Sequence, residues 1–139
     1  MWKIALVVSD FNKEITSKME LKAIEVAKKE NLNILKNVHV NGAYDMPLVV
    51  KLLAEDKNIE AIVCIGAIIK GKTDHDRVIA QSLAKTLMEI SLQTNKPILL
   101  GVIGPNATYK HAKERIGDYP TRAILAAKKM LQNIKNLKG

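Results

Sequence analysis

A doubly wound α/β sandwich, a parallel sheet covered by helices on both faces, is the fold expected of this chain. Two patterns carry that expectation. Apolar runs of strand length recur at 2–8, 34–40, 59–65 and 97–103, and most are continuous rather than alternating. Strands buried on both faces have that composition. Between these runs lie stretches with apolar residues at helical spacing, long enough for crossovers and too long for hairpins. Right-handed crossovers then distribute the helices over both faces of a four-stranded parallel sheet, giving a flavodoxin-like three-layer architecture.

The elements follow in order. Residues 2–8 form the first strand, after which Ile15, Met19, Ala23 and Val26 mark the core face of a helix reaching Asn31. The second strand, 34–40, partly alternates. A loop after Gly42 leads to Pro47, suited to the first turn of a short helix ending near Asp56. The third strand is 59–65. Thr73 or Asp74 can cap the next helix, whose core stripe is Ile79, Leu83, Leu87 and Ile90. The fourth strand, 97–103, is followed by a turn at Gly104, Pro105 and Asn106. A short helix then runs to Arg115, with a break at Gly117. The last helix places Ile124, Ala127, Leu131, Ile134 and Leu137 on one face and lysines on the other. No repeat or linker interrupts residues 1–139, so one domain is expected.

Composition excludes several classes. The longest apolar runs fall short of the roughly 18 residues a membrane helix needs. The first strand begins at Trp2 with no leader-like stretch before it, and Cys64 is the one cysteine, so a reducing cytoplasmic location is expected. The net charge of +8 suggests an anionic partner. Aromatic residues make up only 4% of the chain, too few and too scattered to stack nucleic acid bases, so no nucleic-acid partner is expected. A basic surface that draws in anionic small molecules fits better. Lysine serves the general surface, and Arg77, Arg115 and Arg122 stand out as planar groups suited to anion recognition.

The segment 66–75, GAIIKGKTDH, admits two chemistries. Gly66, Gly71, Lys72 and Thr73 fit the phosphate-loop spacing of nucleoside triphosphatases, in a strand–loop–helix context. Against that, the loop interior Ala-Ile-Ile is bulky and apolar, and only Asp10 follows a strand as a magnesium carboxylate. Alternatively, backbone N–H groups near Gly71 and Thr73, with Lys72, hold a simple phosphate at a helix start. His75 then lies at the strand ends as a group able to take and return protons near neutrality, which imine formation and dehydration require. His39 and His111 are expected to be surface residues. Phe11, just past a strand and flanked by Asp10 and Asn12, is placed to stack on a planar ring. Residues 42–47, GAYDMP, offer backbone donors and the Asp45 carboxylate at the second strand end.

Together these pieces resemble the lumazine synthases, in an archaeal-like form. The resemblance covers nearly the whole chain: VVSDFN at 7–12, GAYDMPL at 42–48, IGAIIKGKTDH at 65–75, PILLGVIG at 97–104, Glu114-Arg115, and the segment from Gly117 to Ala123. It implies condensation of 5-amino-6-(D-ribitylamino)uracil with 3,4-dihydroxy-2-butanone 4-phosphate to give 6,7-dimethyl-8-ribityllumazine, phosphate and water, a transferase step of riboflavin biosynthesis needing no cofactor or metal. By motif position, Phe11 and Asn12 would meet the pyrimidine, Ala43, Tyr44 and Asp45 the ribityl chain, and Ala67, Ile68 and Ile69 the heterocycle through their backbone. Lys72, Thr73 and Arg115 would hold the butanone phosphate, with His75 as proton carrier. Leu100 and Arg122 would line the site from a neighbouring subunit of a homopentamer, or of an assembly of several pentamers. The chain departs from the commoner family pattern at Tyr44, Asp45, Leu100 and Lys72, and is slightly shorter at 117–122. The archaeal type of riboflavin synthase, with a related fold, is the nearest alternative; the phosphate-binding set argues against it.

Overall fold

The structure, a computed structural model, describes residues 1–139. Four strands, β1 (Lys3–Ser9), β2 (Asn33–Val40), β3 (Ala61–Ile69) and β4 (Ile98–Ala107), form one sheet in the order β2-β1-β3-β4. Every pair is parallel. The helices are α1 (Lys13–Lys29), α2 (Met46–Ala54), α3 (His75–Thr94), α4 (Tyr109–Glu114) and α5 (Asp118–Lys138), and a 3-10 turn at Ala43–Asp45 leads into α2.

Strand composition follows position in the sheet. The central strands β1 and β3 are buried along almost their whole length, whereas the edge strand β2 is mostly exposed. Their alternate side chains feed two cores. Ile4, Leu6 and Val8 of β1, with Val63 and Ile65 of β3, pack against Ile15, Met19 and Ala23 of α1 and Ile124 and Leu131 of α5. Ala5, Val7, Ile62 and Cys64 face the other way, onto Met46 and Val50 of α2 and Leu83, Leu87 and Ile90 of α3. Each fully buried aliphatic side chain stabilises the fold by about 1.5–3 kcal/mol. Burial also pushes the Cys64 thiol up to about 12, leaving it a small hydrophobe.

Three features differ from the sequence reading. β3 continues to Ile69, four residues beyond the expected end, because Ala67 and Ile69 still pair with Ile103 and Ala107. β4 runs through Gly104, Pro105 and Asn106, which were expected to form a turn. β4 is an edge strand, so a proline lacking its N–H is tolerated there, and Gly104 has φ 120°, a backbone state open to glycine. Finally, α5 outlasts its apolar face: Ile134 is half-buried and Leu137 is exposed.

Candidate active site at the carboxyl edge of the sheet

All four strands run the same way, so their carboxyl ends and the loops that leave them gather along one edge. At β1 the chain leaves Ser9 through Asp10 and Phe11. Their N–H groups donate to the carbonyls of Val40 and Asn41 at 2.7 and 2.9 Å, extending the β1–β2 ladder past the strand ends. This sets Phe11 out in solvent with 70% of its surface exposed, unusual for the chain's single phenylalanine. Asn12 follows in the left-handed region at φ 60°, and its side-chain amide donates to the Ala67 carbonyl at 2.9 Å. One hydrogen bond therefore joins two expected site segments, the end of β1 and the end of β3.

The neighbouring segment is held from within. The Asp45 carboxylate accepts from the Gly42 N–H at 3.2 Å, closing the 3-10 turn that carries Ala43 and Tyr44. Asp45 thus reaches back to the start of its own turn, as the third residue of a capping box does, and makes no cap bond to α2. Tyr44 is exposed, and together with Ala43, Pro47 and Leu48 it faces Val78, Ile79 and Ser82 of α3 across an open cavity of about 400 Å³.

At β3 the structure corrects the phosphate-loop alternative. Gly66 lies inside the strand, paired with Val102, and Ala67 and Ile68 are buried strand residues. The first four residues of the Gly66–Thr73 spacing are therefore strand rather than part of a glycine-rich cradle. Asp10, the one candidate magnesium carboxylate of that reading, bonds to His39 instead. Only Lys70 to Asp74 form the connection to α3. There Lys72 and Thr73 are exposed, and the Thr73 hydroxyl accepts from the His75 N–H at 3.4 Å. His75 is the first residue of α3 and is exposed to solvent at the sheet edge.

Asp76, not singled out in the sequence, is what fixes that corner. It is 5% exposed, and its carboxylate accepts from the Asn106 N–H of β4 at 3.0 Å. This bond, with help from the Arg77 N–H, holds its carboxyl below the usual carboxylate range. The Lys70 N–H donates to the Ala107 carbonyl at 2.8 Å, tying the same two strands. The start of α3, with His75, is thereby locked to the end of β4. α4 begins two residues beyond that end and finishes before the half-buried Arg115.

Leu100 and Arg122 stand apart from this group. Leu100 pairs with Cys64, several residues before the carboxyl end of β3, and is partly exposed on the edge strand β4. With Leu99, Tyr119 and Arg122 it lines a shallow cavity of about 320 Å³ on the flank of the molecule. Arg122 contacts only Asp118 of its own helix, at 3.4 Å with both groups exposed. Such a pair is worth about 0.5 kcal/mol or less and leaves the guanidinium free to be recruited. No bond within the chain joins Leu100 or Arg122 to Phe11, Asp45 or His75 among the contacts described.

Comparison with known proteins identifies the family. A family model described as 6,7-dimethyl-8-ribityllumazine synthase matches residues 1–135. Proteins of that name from Saccharolobus solfataricus and Metallosphaera sedula are 42% identical to the chain over 135 residues. These cover 97% of the chain and 88% and 89% of the relatives. The protein of that name from Methanoculleus marisnigri is 42% identical over 133 residues, 96% of this chain and 98% of its own. With the family's motifs at the ends of parallel strands, the chain belongs to the 6,7-dimethyl-8-ribityllumazine synthase family.

Proposed function

We propose that the chain condenses 5-amino-6-(D-ribitylamino)uracil with 3,4-dihydroxy-2-butanone 4-phosphate, forming 6,7-dimethyl-8-ribityllumazine with loss of phosphate and water. The observation that supports this reading is the bond from Asn12 to the Ala67 carbonyl, which ties the segment carrying the exposed Phe11 to the end of β3. A planar pyrimidine stacked on Phe11 would meet the backbone of Ala67, Ile68 and Ile69 at its edge. Its ribityl chain would run towards Ala43, Tyr44 and Asp45. The primary amine of the pyrimidine is already a good nucleophile, so the protein's work is orientation, anion capture and proton transfer. Lys72, Thr73 and Arg115 would receive the phosphate near the start of α3. His75, held by the Asp76 anchor, would carry protons to and from the carbonyl as imine forms and water leaves.

A homopentamer, or a multiple of one, completes the site in this reading. Two features support it. Leu100 and Arg122 line a cavity at the β4 edge of the sheet, with β3 between that edge and the β1 strand that leads to Phe11, so they would serve the site of an adjacent copy. Around the cavity between α2 and α3, Tyr44, Leu48, Leu52 and Val78 are exposed, an apolar surface suited to a neighbouring chain. A cytoplasmic location fits the reduced, buried Cys64.

The decisive experiment mixes purified protein with both substrates and follows lumazine absorbance, with ATP hydrolysis as the parallel control. Lumazine formation without ATPase activity is the expected result. His75→Ala should lower kcat about 100-fold or more, the range for a lost general acid–base, and leave binding of a lumazine analogue intact. Arg115→Ala should raise KM for the phosphorylated substrate. Wild-type kcat in His75→Ala overturns the catalytic assignment.

A further inference from the structure

His39 was expected to be an ordinary surface histidine, yet both of its ring nitrogens are engaged. Nδ1 lies 2.6 Å from the Asp10 carboxylate and Nε2 lies 2.7 Å from that of Glu20. Glu20 also accepts from the Asn37 side-chain amide at 2.8 Å, and its carboxylate is only 15% exposed. A neutral imidazole has one N–H and one lone pair, so one of these two carboxylates would face a lone pair. With both carboxylates ionised, the arrangement requires the imidazolium. The charged groups facing the ring are Asp10 from the end of β1 and Glu20 from α1, the two elements packed on β2 at this point. Hydrogen bonds from Asp10 and then Glu20 accordingly raise the His39 pKa.

We propose that His39 is a positioning residue for the condensation: by bridging Asp10 and Glu20 it fixes the end of β1, and so the Phe11 ring on which the pyrimidine stacks. Asp10 is the residue before Phe11, and its backbone already bonds to Val40, the residue after His39. The clamp therefore closes the same strand-end corner from the side-chain direction. Helix α1, anchored by Glu20, leaves from the same corner one residue beyond Asn12. Loss of the proton would put the ring's lone pair against a carboxylate, open the corner and loosen Phe11, with no effect on the phosphate groups around Lys72 and Arg115. The proposal rests on the assignment of Phe11 to the pyrimidine.

The sign follows from the raised pKa. The clamp is intact below the ordinary histidine value of about 6.5 and is lost as pH rises through the higher folded value. The test measures both KM values and kcat from about pH 6 to pH 9.5 for wild type, His39→Gln and His39→Arg, with NMR titration of the His39 ring alongside. In wild type, KM for the pyrimidine should climb about five-fold relative to His39→Arg as the His39 resonance titrates, while kcat and KM for the butanone phosphate stay within about two-fold of the His39→Arg values at each pH. His39→Gln should show the high KM at every pH. His39→Arg, permanently charged, should keep the low KM into alkaline solution, a rescue that a merely structural role would not produce. Identical KM profiles for His39→Gln and wild type, or an unshifted His39 titration, overturn the proposal. Failure of the substrate assignment is distinguishable. Phe11→Ala would then leave KM unchanged while His39 still titrates high and moves towards its ordinary value in Asp10→Asn, where Glu20 alone remains to raise it, which ends the positioning role but not the clamp.

Discussion

Phe11→Ala separates a side chain kept for binding from one kept for folding. Removing a fully buried phenylalanine costs about 3–5 kcal/mol of stability. Phe11 is 70% exposed, so at most about a third of that applies, roughly 1–1.5 kcal/mol. In a domain of this size such a change lowers Tm by about 3–7 °C at the outside. The binding side of the comparison is larger. Stacking of a base-like ring on an aromatic side chain contributes about 1–3 kcal/mol, which is about five- to 150-fold in KM. Steady-state lumazine formation with the pyrimidine varied and the butanone phosphate saturating measures that term, and scanning calorimetry measures the other. Expected is a large rise in the pyrimidine KM, a small change in Tm and little change in the other substrate's KM. A pyrimidine KM within about two-fold of wild type would refute the stacking role. A Tm loss well beyond 7 °C, the ceiling of about 1.5 kcal/mol, would show instead that the ring supports the fold.

Three further outcomes follow from particular contacts. Gly101→Ala puts a Cβ 2.9 Å from the Cys64 carbonyl oxygen and 3.1 Å from Ala123. The first is backbone and cannot swing away, so a loss of about 1–3 kcal/mol is expected in denaturant unfolding, and an unchanged midpoint would contradict the β3–β4 packing. Asp76 has a depressed folded pKa, so its contribution is present above the ordinary carboxylate range and disappears as pH falls through the lowered value. Wild type and Asp76→Asn should therefore differ in stability at neutral pH and converge in strong acid, and a constant difference across pH would remove the Asn106 bond as its cause. Lastly, His75→Ala and Arg122→Ala chains, unfolded together in equal amounts and refolded, should recover activity at about a quarter of their interfaces, where each site draws the intact residue from a different subunit. No recovery would place Arg122 and His75 in the same chain's site, and full activity of Arg122→Ala alone would place Arg122 outside any site.

The layers of this fold were legible because burial on both faces leaves a mark on composition. β1 and β3, central in the sheet, are continuous apolar runs and β2, at an edge, is the one that alternates; β4 is the exception, an edge strand that opens on a continuous apolar run. What failed was punctuation. Gly104, Pro105 and Asn106 have the composition of a turn, and only their place on an edge strand allows β4 to carry them. The candidate site was legible at Phe11, Asp45 and His75, whose residue types are conspicuous just past strand ends. It was not legible at Asp76 or His39. A carboxylate in a first helical turn ordinarily complements the helix dipole, and nothing local says that this one bonds to Asn106, 30 residues away. For His39 the signal was weaker still, since its partners lie 29 and 19 residues away in sequence.

Those long-range bonds explain how exposed loops can form an ordered site. Asp10 and Phe11 are tied to β2, Asn12 to β3, Lys70 to the end of β4, and Asp76 to Asn106. The bonds of Asp10, Phe11, Asn12 and Lys70 each join the exit of one strand to its neighbour, so the sheet is in effect extended by one to three residues past its regular end, and the Asp76 bond ties the start of α3 to it. Side chains on this extension inherit the rigidity of the core rather than the mobility of free loops. The reaction needs little from the protein besides alignment of an amine with a carbonyl, and a misplacement of about 1 Å can cost about 100-fold. Substitutions in these tethers should accordingly act on binding and alignment with small effects on stability, while those in the two cores act on stability first. The polar tethers, more than the apolar layers, are where this sequence specifies its chemistry.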